Sequence, residues 1–229
     1  MSEADTIALV AVASAAAVSA LGCVLLPWIV ARVPEGDVFV ETLPRSWVRG
    51  LLGAVVGGLL GFALSGFGEA YDWGWAVLAV LPAYAYLAVA GVAMGFIDVA
   101  LHRLPNVFTL RSYPAVAALL TAASLVVGES VRLVGLLVGL VVMGGLYLLL
   151  YVIYPAGMGF GDVKLSGVLG MALGFLSIRA LFWGLTAGFL LGAVVSLVVL
   201  ALQRSRDLKT NVPFGPSMLV GALLAVLLV

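Results

Sequence analysis

Residues 133–154 read LVGLLVGLVVMGGLYLLLYVIY, a stretch that contains no charged residue. An α-helix rises 1.5 Å per residue, so this stretch is long enough to cross the roughly 30 Å hydrocarbon core of a bilayer. Similar stretches recur along the whole chain, of which 64% is apolar and only 10% is charged. These properties predict an integral membrane protein built of α-helices.

We predict about eight membrane-spanning segments, separated by loops that contain charged residues, glycine or proline. The segments cover residues 7–30, 50–67, 74–98, 112–128, 133–154, 163–178, 180–202 and 214–229. The sixth and eighth are short, so we expect them to be less tilted or packed inside the bundle. The predicted fold class is therefore all-α, a polytopic membrane helix bundle.

The positive charges of the loops are distributed unevenly. If the N-terminus lies outside the cell, the inner side collects nine of the 11 Lys and Arg residues, and the outer side keeps Arg132 and Arg179. Positive charge marks the cytoplasmic side of membrane proteins, so we predict that both termini lie outside and that the chain lies in the plasma membrane. The lipid bilayer is thus an expected partner. The net charge of zero offers no basic surface to nucleic acid.

Two aspartates stand at segment ends. Asp98 ends the third segment, and Asp162 begins the sixth within Gly159-Phe160-Gly161-Asp162. In the predicted topology both carboxyls lie at the cytosolic boundary. Two carboxyls held close together share a proton, so one acts as a base and the other as an acid in water-activated peptide hydrolysis. The alternatives are structural: Asp162 stabilises a helix N-terminus, and Asp98 pairs with His102 or Arg103.

Glycine occurs in two contexts. Gly159 and Gly161 remove side chains beside Asp162, and we expect them to let an extended peptide approach its carboxyl. Other glycines recur at four-residue spacing, which is typical of the faces on which membrane helices contact each other. These are Gly53, Gly57, Gly61, Gly135, Gly139, Gly184, Gly188 and Gly192.

Three motifs occur in a fixed order. They are Asp98 with the following His102-Arg103-Leu104-Pro105-Asn106, then Gly159-Phe160-Gly161-Asp162-Val163-Lys164, then Val212-Pro213-Phe214-Gly215-Pro216. On these motifs the chain resembles the type IV prepilin peptidases, membrane aspartic proteases of the GxGD class. The resemblance covers residues 50–229, the predicted peptidase domain. Residues 1–49 form the predicted first transmembrane helix and a short cytosolic loop.

The resemblance implies an aspartic endopeptidase that removes the short basic leader from prepilin and pseudopilin precursors at the cytosolic membrane face, as in type IV pilus and secretion systems. Asp98 and Asp162 match the two catalytic aspartates of the family. The chemistry requires no cofactor and no metal. The residues that we expect to support the pair are Gly159, Gly161, Lys164, His102 and Arg103.

One feature differs from the larger members of that family. These carry a cytosolic insert with paired Cys-x-x-Cys motifs, associated with methylation of the new N-terminus, whereas the loop from Arg32 to Arg49 is short and has no cysteine. We therefore expect no methyltransferase activity. Three alternative functions stay open: a GxGD protease acting on non-pilin signal peptides, a transporter, and a noncatalytic assembly subunit. The individual substrate and the oligomeric state stay open as well.

Overall fold

The computed structural model describes residues 2–32, 36–102, 104–155, 158–202 and 214–229. The all-α prediction is confirmed, because these residues form helices and no strand. A 3₁₀ helix, Gly74–Ala79, precedes the fourth α-helix. The α-helices in the described ranges are α1 (Glu3–Val30), α2 (Gly36–Thr42), α3 (Ser46–Ala70), α4 (Leu81–Leu101), α5 (Asn106–Val127), α6 (Val131–Ile153), α7 (Phe160–Leu176), α8 (Ile178–Leu202) and α9 (Gly215–Leu227).

Six helical stretches in the described part of the chain are long and apolar enough to cross a membrane. They are α1, α3, the 3₁₀ helix together with α4, α5, α6 and α8. The remaining two predicted segments correspond to α7 and α9, which have only 17 and 13 residues. The chain is therefore a multi-pass membrane protein with six candidate spans. The predicted count of eight is not confirmed, and the orientation of the termini stays a prediction.

Helix α7 is the buried centre of the bundle. Every residue from Leu165 to Leu176 is buried. Helix α6 approaches it closely, because a Cβ atom on Gly139 would overlap the Gly170 carbonyl oxygen and one on Gly135 would overlap that of Gly174. A helix that is covered on all sides needs no lipid-facing surface. A short α7 can therefore lie inside the bundle.

Helices α1 and α3 pack through the first predicted glycine face. A Cβ atom on Gly53 would lie 2.5 Å from the Ser19 carbonyl oxygen, and Gly57 and Gly61 meet the α1 backbone in the same way at successive turns. Small residues at four-residue spacing let two backbones approach closely, where dispersion contacts stabilise the pair. The predicted helix-contact role of these glycines is confirmed.

Arg49 holds the same two helices together near a proline. Pro27 lies inside α1 and has no N–H, so the Cys23 carbonyl lacks its helical donor. The Arg49 Nε donates to that carbonyl oxygen at 3.1 Å, and the Arg49 side chain is only 7% exposed. Arg49 is thus a buried part of α3 rather than a loop residue between segments.

Arg132 also donates hydrogen bonds to backbone carbonyls, in this case at the C-terminus of α7. The sequence predicts an outer-loop charge at this position, but Arg132 lies in the first turn of α6 and is 6% exposed. Its guanidinium donates to the Leu176 carbonyl at 2.8 Å and to the Phe175 carbonyl at 3.3 Å. It also pairs with Glu129 at 2.8 Å. These bonds satisfy two carbonyls that the end of α7 leaves without helical partners.

Replacing Arg132 with Met should destabilise the fold. The two α7 carbonyls would lose a charged donor, and we expect the free energy of unfolding to fall by about 1.5–3 kcal/mol. Unfolding of the purified protein in detergent measures the change. Arg179→Met is the matched control, because Arg179 is exposed, and it should unfold like the wild type. Equal stability of both variants would contradict the role of Arg132.

Candidate active site

The two aspartates lie on different helices, and both are buried. Asp98 stands in the last turn of α4, and Asp162 stands in the first turn of α7. Their side chains are 4% and 6% exposed, respectively. Carboxyl groups are rarely buried to this degree unless they are paired or hydrogen-bonded, so their surroundings need an explanation.

Both carboxyls lie next to Gly215. It is the first residue of α9, and its N–H donates to Asp98 Oδ2 at 3.1 Å. A Cβ atom built on Gly215 would lie 2.7 Å from Asp98 Oδ2 and 3.7 Å from Asp162 Oδ1. Both carboxyls therefore face one point at which α4, α7 and α9 meet.

The two glycines of the Gly159-Phe160-Gly161-Asp162 motif have different surroundings. Gly159 is exposed, and the nearest atom to a Cβ atom placed on it is Asp162 Oδ2 at 3.3 Å. This position fits the predicted open approach to the carboxyl. Gly161 does not, because a Cβ atom there would lie 2.8 Å from the Cβ atom of Leu104. Its missing side chain makes room for the segment that follows α4.

Lys164 points to a neighbouring helix and not to the carboxyl pair. Its Nζ donates to Asn106 Oδ1 at 2.6 Å and lies 4.6 Å from the centre of the Phe160 ring. Residues two positions apart on a helix do not share a face, which explains why Lys164 and Asp162 diverge. Lys164 therefore connects the start of α7 to the start of α5.

His102 ends α4 beside Asp98. It adopts a left-handed backbone conformation with φ 52°, and its N–H donates to the Asp98 carbonyl oxygen at 2.8 Å. The helix therefore ends at Leu101, with His102 as its C-cap, just ahead of the Leu104-Pro105-Asn106 stretch. The His102 side chain is exposed. Arg103, the other predicted partner of Asp98, lies outside the described residues.

Two residues of the site are absent from the sequence-based prediction. Gly215 and Phe214 belong to the third sequence motif, but nothing local in that motif indicates that Gly215 faces the aspartates. The Phe214 ring occupies the space beside Gly192 on α8, where a Cβ atom would overlap it. The predicted packing residue Gly192 therefore also supports the position of Gly215, through Phe214.

An apolar cleft of about 370 Å³ opens beside the pair. Residues of α3, α4, α7 and α9 line it. Gly95 and Val99 on α4 and Pro216 on α9 are close to Asp98 and Gly215 in sequence, so the cleft ends near the carboxyl pair, although neither aspartate lines it. Its lining suits an apolar segment of a polypeptide.

The family model of the type IV leader peptidase family matches residues 85–202. This match covers more than half of the chain. The chain belongs to the type IV leader peptidase family. Comparisons with curated proteins and with solved structures found no match.

Membership of the type IV leader peptidase family makes the chain a membrane protease. The matched range contains both aspartates and the Gly159 to Lys164 motif, whereas Gly215 lies beyond it. Among the described residues, no group of three or more His, Cys, Asp or Glu side chains is arranged to hold a metal ion. We base the proposed chemistry of this leader peptidase on the two carboxyls, which lie within the matched range.

Proposed function

We propose that this protein is an aspartic endopeptidase that removes the leader peptide from prepilin and pseudopilin precursors. The observation that carries the proposal is that two buried carboxyls face Gly215 in a member of the type IV leader peptidase family. Asp98 and Asp162 are the proposed catalytic residues.

The proposed mechanism uses one shared proton. The ionised carboxyl takes a proton from a water molecule as the water oxygen attacks the scissile carbonyl carbon. The protonated carboxyl donates to the carbonyl oxygen, on which negative charge develops. When the C–N bond breaks, the proton taken from water passes to the leaving amine, and the pair returns to its starting state.

Two features next to the buried pair indicate where a substrate would enter. Gly159 is exposed and places no side chain over Asp162 Oδ2, and the apolar cleft along α4 and α9 ends near the pair. We propose that the scissile peptide lies beside Gly159 and that an apolar segment of the precursor lies in the cleft. The excess of positive charge in the predicted inner loops supports a cytosolic active site in the plasma membrane.

A comparison of two substrates tests the proposed function. The purified protein in lipid vesicles is incubated with a pilin-like precursor and, separately, with a secretory precursor that carries a conventional signal peptide. We expect one cut in the pilin-like precursor, located by sequencing the new N-terminus, and none in the other. Preferential cleavage of the secretory precursor would contradict this substrate class and support the GxGD protease of non-pilin signal peptides.

The same reaction tests the expected lack of methyltransferase activity. The chain between α1 and α3 contains α2, whose buried Phe39 packs with Cys23 and Ile97. The described part of this short connection leaves no room for a separate domain. With S-adenosylmethionine present, the product should keep an unmodified N-terminus, and a mass increase of one methyl group would contradict the prediction.

A further inference from the structure

Tyr147 is a fully buried residue of α6 that carries a polar hydroxyl group. Its side chain is 0% exposed, and within the described part of the structure its hydroxyl has no hydrogen-bond partner. A buried polar group without a partner destabilises a fold, and phenylalanine would fill the same space without that cost. By contrast, the hydroxyl of Tyr86 on α4 lies 3.0 Å from Ser112 Oγ.

The surroundings of Tyr147 connect it to the carboxyl pair. Its ring stacks on Phe189, with centroids 4.9 Å apart, and meets the Phe214 ring at 6.2 Å. Phe214 directly precedes Gly215, which both carboxyls face. The Tyr147 hydroxyl lies 3.6 Å from the position of a Cβ atom on Gly188, and the backbone of the first turn of α9 lies 3.5 Å from the same position. The unpaired donor therefore lies beside the start of α9, whose first residue faces both carboxyls.

We propose that Tyr147 is a positioning residue whose hydroxyl donates a hydrogen bond to the Asp162 carboxyl when substrate is bound. The proposal rests on the proposed function. Gly215 already supplies a donor to Asp98, and Tyr147 would supply the corresponding donor to Asp162. A hydrogen bond to a charged acceptor is stronger than one between neutral groups, so it would hold the Asp162 carboxyl in one orientation during water attack. No covalent bond of Tyr147 changes.

The Tyr147→Phe variant tests the proposal because it removes only the hydroxyl. We expect kcat for the pilin-like precursor to fall about 10- to 100-fold, with KM little changed. The melting temperature should be unchanged or higher, because an unpaired buried group has been removed. Tyr86→Phe is the matched control, since it removes a paired hydroxyl away from the site. It should lower the melting temperature and leave kcat unchanged.

Two results with Tyr147→Phe would overturn the proposal. One is a wild-type kcat, and the other is a kcat that falls together with the melting temperature, which indicates a structural role. The wild type in the same assay distinguishes a failure of the Tyr147 proposal from a failure of the proposed function. A wild type that cleaves no precursor would overturn both, whereas an active wild type and an equally active Tyr147→Phe would overturn the role of Tyr147 alone.

Discussion

Asp162→Asn is expected to abolish leader cleavage while the protein stays folded. Asparagine has nearly the same shape as aspartate, but it cannot share the proton that the mechanism requires. A single acid or base in such a reaction contributes about 10²- to 10⁴-fold to the rate, so activity should fall by at least that range. Asp98→Asn should lose activity for the same reason. It should also stay folded, because the side-chain oxygen of asparagine can still accept from the Gly215 N–H. Initial cleavage rates of the purified variants measure both changes.

Asp72→Asn is the control for these variants. Asp72 is exposed and has a left-handed backbone with φ 57°, which asparagine also adopts readily. The same chemical change should therefore leave cleavage and stability unaffected. Substantial cleavage by either Asp98→Asn or Asp162→Asn would remove that residue from the proposed mechanism.

Gly215→Ala is expected to cause the second large loss of activity. The added Cβ atom would lie 2.7 Å from Asp98 Oδ2 and 3.3 Å from its Cγ, closer than carbon and oxygen atoms normally approach. The Asp98 carboxyl or the start of α9 must then move. A displacement of about 1 Å within a catalytic site costs on the order of 10²-fold in rate. The expected result is a folded protein with cleavage reduced by about that factor.

Gly66→Ala provides the comparison for this substitution. Gly66 also lies in a helix, but no atom lies within 4 Å of the position that its Cβ atom would occupy. Alanine should keep full activity and add up to about 1 kcal/mol of stability through its higher helix propensity. If Gly215→Ala cleaves as fast as Gly66→Ala, the close approach at Gly215 is not needed for activity.

The helices can be predicted from the sequence, whereas some of their ends cannot. A long apolar stretch has few options in a bilayer other than a helix, because its backbone must satisfy its own hydrogen bonds. The predicted fourth segment starts at residue 112, but α5 begins at Asn106. The reason is that polar residues such as Arg111 can lie in the end of a membrane helix as well as in a loop. Hydropathy alone does not distinguish the two.

The site is only partly predictable for a different reason. Asp98 and Asp162 stand out because charges are rare in this chain. The role of Gly215 depends on a contact with Asp98 across 117 positions of sequence, which no local pattern reveals. Tyr147 resembles any other aromatic residue of an apolar helix until its burial and its unpaired hydroxyl are known. Gly161 has the sequence context of an opening for substrate, but it contacts Leu104.

The central claim is that Asp98 and Asp162 act together as the catalytic pair of a leader peptidase. The most direct measurement is a cleavage time course of one pilin-like precursor by the purified wild type, Asp98→Asn and Asp162→Asn proteins in identical lipid vesicles. We predict that the wild type releases the leader and that neither variant does so. Substantial leader release by either variant, or no release by a folded wild type, would contradict the claim.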